Sequence, residues 1–105
     1  MGLKRSAADE LRRCVKFVTF APFAKVGEIA SEPWASITFS GERHRLQLAF
    51  AGPDAAAAAD AFLDGLGERE VPLRGHILID IACVADERGE DGVRLTLEAL
   101  TVEDD

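Results

Sequence analysis

The chain has 105 residues, 48% of them hydrophobic and 30% charged, with a formal net charge of −7. That length suits one domain with one modest core, and no apolar run reaches the ~18 residues needed to cross a bilayer. Charge is uneven: residues 1–52 hold eight Lys/Arg and five Asp/Glu, whereas residues 53–105 hold four and fourteen. An acidic surface repels nucleic acid and anionic membrane, so neither is expected as a partner.

Residues 1–13 carry positive charge without the apolar stretch of a signal peptide, which makes the cytoplasm the expected location. Cys14 and Cys83 form no C-x-x-C pair and read as small core residues of a reducing compartment.

Ser6 can cap a helix, with Asp9 three residues on. Leu11, Cys14, Val15 and Val18 then fall on one helical face. The following "CVKFVTF" is β-branched and aromatic, which predicts helix to about residue 16 and strand over about 15–20. "APFAKVGEIASEP", broken by Pro22, Gly27 and Pro33, reads as an irregular connection.

"WASITFSGERHRLQLAF" reads as a hairpin turning at Gly41 and Glu42, because glycine first suits a two-residue type II′ turn. That register places Ala35, Ile37, Phe39, Leu46, Leu48 and Phe50 on one face and the polar residues, Arg43 and Arg45 among them, on the other. Residues 54–66 form the main helix, with Asp54 at its start, a run of alanines, and Phe62 and Leu66 one turn apart.

Two long strands follow, about 74–85 and 92–102. An odd loop centred on Glu90 aligns their apolar faces, pairing Asp86 with Arg94, Ala82 with Glu98 and Asp80 with Leu100. Ile77, Ile79, Ile81 and Cys83 then point into the core. Leu78, Asp80, Ala82 and Val84 point the other way, and Asp80 needs no chemistry to be explained. The fold class is α+β: an antiparallel sheet of four or five strands, one main helix on one face, and a short N-terminal helix, as a single domain over 1–105.

The sequence holds no G-x-S-x-G, Walker A, G-x-G-x-x-G or H-E-x-x-H motif. His44 and His76 lack metal-ligand spacing to any other His or Cys. His76 stands roughly 13 Å along the strand from Asp80, too far for a direct hydrogen bond. No catalytic residue, metal or cofactor is expected.

The second sheet face is the feature left over. Leu78, Val84, Leu100, Val102 and Trp34 project onto it among charged residues, a mixture that suits a covered face better than a wet one. The expected function is therefore a non-catalytic interaction or self-association module of a soluble, bacterial-type cytoplasmic protein. Its partner is another protein or, as a homodimer, itself. The alternative is a small-ligand-binding domain or minor enzyme using Trp34, Arg43 and Arg45, with His76 nearby, since paired arginines suit a carboxylate or phosphate. Candidate contact residues are Trp34, Arg43, Arg45, His76, Leu78, Val84 and Leu100. An N-terminal helix lying over the second face is the competing explanation for its apolar content.

Overall fold

The structure, a computed structural model, describes residues 6–19, 24–64, 66 and 73–103, with the backbone alone for 14–19. In chain order the elements are α1 (Ala7–Thr19), β1 (Ala24–Ala35), β2 (Ser40–Ala51), α2 (Ala55–Leu63), β3 (His76–Gly89) and β4 (Gly92–Glu103). The strands form one antiparallel sheet of order β1-β2-β4-β3, the α+β architecture expected from the sequence.

Helix α1 opens as its sequence requires: the Ser6 hydroxyl accepts the Asp9 backbone N–H at 3.1 Å. It continues to Thr19, where a strand was expected from residue 15. The 3.6-residue spacing that begins at Leu11 extends to Val18, and it prevails over the local β preference of Val, Phe and Thr. Phe20, the last residue of that expected strand, lies outside the described residues, as do the side chains of Cys14, Val15 and Val18.

Strand β1 occupies part of the segment read as an irregular connection. Its alternation is broken by a bulge between Val26 and Ile29, which leaves both residues packed on the same core. The hairpin turn lies at residues 36–39, not at Gly41 and Glu42. Ala35 pairs with Ser40, and the Ser36 N–H donates to the Phe39 carbonyl at 2.8 Å. This position extends the ladder back to Ala24 opposite Phe50, so Val26 and Ile29 gain partners in Leu48 and Leu46. Ile37 and Phe39, expected in the core, stand exposed at the tip.

Strands β3 and β4 keep the expected register at their centre, with Asp80 opposite Leu100 and Ala82 opposite Glu98. The turn itself is even: Gly89 pairs with Gly92 around Glu90 and Asp91. A bulge at Val84 absorbs the difference, so Arg94 faces Glu87 and Asp86 faces Leu95. A second bulge at Ile79 inverts the alternation before it: Leu78 packs against the core, while Ile77 and Ile79 are 50% and 53% exposed. Ile77 and Ile79 are therefore not core residues, whereas Ile81, at 8% exposure, is.

The core gathers Leu46, Leu48 and Phe50 of β2 and Val93, Leu95 and Leu97 of β4 under Leu11 of α1 and Phe62 of α2. The Phe50 and Phe62 rings meet at 6.4 Å, tilted by 51°. Asp54 precedes α2 but its side chain makes no capping bond; the Ala58 N–H donates to the Asp54 carbonyl at 2.9 Å. Arg88 at the far end of β3 reaches Asp60 of α2 at 2.7 Å.

Two polar contacts fasten α1. Arg12 donates to the Val26 carbonyl at 3.1 Å, and the buried Glu10 carboxylate accepts the Arg74 backbone N–H at 2.9 Å and Arg13 at 3.2 Å. Both helices thus lie on the same side of the sheet, which excludes α1 as the cover of the other side.

Candidate interaction face

Burial alternates along β2, and the pairing of β4 with β2 carries the same two faces across the seam; on β4, Thr96 and Val102 of the second face are themselves buried. His44, Leu46, Leu48 and Phe50 of β2 are buried toward the helices, and Arg43, Arg45, Gln47 and Ala49 between them are exposed. On β4, Leu95, Leu97 and Ala99 point to the helices, and Arg94, Glu98 and Leu100 point away. No described residue outside the strands lies over this second face.

Its side chains fall into cross-strand rows. At one end Trp34, Gly41, Val102 and Ile77 stand side by side across all four strands. Next comes Glu32, Arg43, Leu100 and Asp80; then Ala30, Arg45, Glu98 and Ala82. Toward the other end lie Lys25, Ala49, Arg94 and Glu87. One end is therefore apolar and the remainder is a mosaic of opposite charges. Arg45 is held by Glu98 at 2.7 Å across the β2–β4 seam, with its Nε also bonded to the same oxygen at 3.2 Å.

The expected contact residues divide between the faces. Trp34, Arg43, Arg45 and Leu100 stand on the open face, and exposed Val84 occupies the bulge of edge strand β3. Leu78 and His76 do not join them, because the bulge at Ile79 returns both to the helix side; the sequence reading placed them opposite. Ile77 takes their place. Only a break in alternation within "HILIDI" would have revealed this, and three consecutive odd-numbered isoleucines conceal it.

Arg43 and Arg45 line an open depression of about 350 Å³, together with Ala30, His44, Glu32 and Glu98. Two carboxylates stand beside the two arginines there, and Arg45 is engaged by Glu98.

A second polar cluster lies on the helix side. The His44 ring, buried, joins Ser31 Oγ through Nδ1 at 2.7 Å and Thr101 Oγ1 through Nε2 at 2.9 Å. Thr101 donates to the Glu42 carbonyl at 3.4 Å, so it accepts from Nε2–H, and Nδ1 accepts the Ser31 hydroxyl proton. Burial, the largest influence, pushes the His44 pKa below 6.5; Glu42 opposes this and His76 adds to it. The hydroxyls and the ring satisfy one another across β1, β2 and β4, which accounts for a buried histidine without catalysis. Among the described residues, no three His, Cys, Asp or Glu side chains converge as metal ligands, and no helix is long and apolar enough to cross a membrane.

Compared with protein-family models, curated proteins and solved structures, the chain matches none.

Proposed function

We propose that this chain is a non-catalytic interaction module that works by self-association through the open face of its sheet. The observation that carries the proposal is the placement of both helices on one side, which leaves Ile77 exposed and Trp34 and Leu100 half-buried on the other, with no described helix over them. Aromatic and aliphatic residues bordered by charge are the composition of a protein interface. A two-fold dimer is the commonest closed assembly for a soluble chain. A cytoplasmic setting belongs to the same proposal, and the net charge of −7 argues against polyanionic partners.

Light scattering at micromolar concentration tests it. Wild type is expected at twice the chain mass, and Leu100→Glu, which places a charge in the middle of the open face, at one. A wild-type chain that remains at one mass across the accessible concentration range overturns self-association.

A further inference from the structure

We infer that the occupant of the open face is a second copy of this chain, stacked sheet on sheet about a two-fold axis that runs parallel to the strands between β2 and β4. This rests on the self-association reading above and adds which residues meet.

Neither edge of the sheet is suited to pairing with a second copy. Both edge strands carry bulges, at Gly27 and Glu28 in β1 and at Ile79 and Val84 in β3, and β1 also carries Pro33. Bulges and proline blunt an edge against pairing with another strand. That leaves the face, where sheets stack about 10 Å apart with their strands aligned to within roughly 30°.

Two in-plane axes can bring the face onto itself. An axis across the strands lays each strand over its own copy in reverse. Centred on the Arg45 row, it sets Arg45 against Arg45 and Glu98 against Glu98, and it places Trp34 over Lys25 and Ile77 over Glu87. Like charges meet, and the apolar end meets the charged end.

An axis along the strands has the opposite result. It exchanges β1 with β3 and β2 with β4 while each row stays level with itself. Trp34 then covers Ile77 of the second copy, and Gly41 lies over its Val102, which is already buried within its own chain. Arg45 covers Glu98 of the second copy, and the reverse, which joins the two intrachain ion pairs into one network beside the axis. Ala30 over Ala82 leaves room for the sheets to close, and Lys25 covers Glu87. One level has a like-charge match, Glu32 over Asp80, and Arg43 neighbours Glu32 in that row. Charge and apolar surface are self-complementary at the Trp34, Arg45 and Lys25 levels, and the remaining level, Gln47, Thr96 and Ala85, carries no charge.

Charge exchange tests the arrangement. Arg45→Glu and Glu98→Arg each place like charges over one another in the homodimer, so each alone is expected at one chain mass in light scattering. Mixed in equal amounts they restore opposite charges across the interface, and the expected mass is that of two chains. Far-ultraviolet circular dichroism and a melting curve check that each variant is folded. If either is not, Lys25→Glu with Glu87→Lys, at exposed positions outside the Arg45–Glu98 pair, gives the same readout. A dimeric wild type whose single variants stay dimeric, or whose mixture stays at one mass, overturns the stacking and leaves self-association standing. A monomeric wild type overturns both.

Discussion

The indole of Trp34 lies over Gly41, its cross-strand partner on β2, with Nε1 3.0 Å from the point where a Cβ on Gly41 would stand. The indole N–H is buried and has no acceptor among the described residues. The same absent Cβ would collide with the backbone oxygen of Thr101. One glycine thus lets β4 approach β2 closely and gives the tryptophan a flat seat.

Gly41→Ala is therefore expected to destabilise the fold, at a cost of about 1–3 kcal/mol, the usual range for forcing extra volume into a packed site. Urea titration followed by Trp34 fluorescence reads both consequences, because the indole must shift as the ladder opens. An unchanged midpoint with an unchanged emission maximum would show that the approach is not as close as described.

Ile81 and Ile79 are two residues apart and should behave oppositely. Ile81, 8% exposed within the core cluster, is expected to lose about 2–5 kcal/mol on truncation to alanine. Ile79, 53% exposed at the bulge, is expected to change stability by only about 0.5 kcal/mol in the single chain. Chemical denaturation of both variants at a concentration that keeps the chain monomeric separates them. Equal losses would remove the bulge from the account.

His44 gives the fold a pH dependence whose sign follows from its lowered pKa. Below the ordinary value of 6.5 the unfolded chain binds a proton that the buried ring resists. The stabilisation is therefore complete above 6.5, declines as pH falls through that value, and levels off below the folded pKa. Urea midpoints measured from neutral to mildly acid pH are expected to fall for wild type. In His44→Gln, which titrates nowhere in this range, the fall should be shallower. Equal slopes would assign the acid sensitivity to other groups.

Periodicity made the α+β class, both helices and the central β3–β4 register legible in the sequence. Asp80 opposite Leu100 and Ala82 opposite Glu98 follow from matching apolar faces, because a one-residue slip moves every side chain to the wrong side. The bulges were not legible. Each inserts one residue and inverts the pattern beyond it, so Ile77 and Ile79 read as core, and "KVGEIAS", already set between Pro22 and Pro33, showed no alternation to offset its loop reading. The even turn at Glu90 and Asp91 was hidden for the same reason: it aligns apolar faces only once Val84 bulges out. Of the open face, Trp34, Arg43, Arg45 and Leu100 were found from alternation alone, since β2 and β4 lie between the bulged edges and are regular. Glu10 gave no signal, because burying its carboxylate depends on the backbone of Arg74, far away in sequence.

The strand order β1-β2-β4-β3 also has a kinetic meaning. Each hairpin closes over a short loop, but the core exists only once β2 joins β4, a pairing whose nearest partners, Ala51 and Gly92, already lie on opposite sides of α2. Loop closure over such separations is what slows folding in small domains. The seam is bridged by Arg45–Glu98 on one face and His44–Thr101 on the other. Substitutions at these bridges are expected to slow refolding, whereas those at the β1–β2 tip, such as Ser36→Ala, are expected mainly to hasten unfolding. Stopped-flow folding and unfolding rates of the two kinds of variant would show whether the union of two hairpins is the step that commits the chain to its structure.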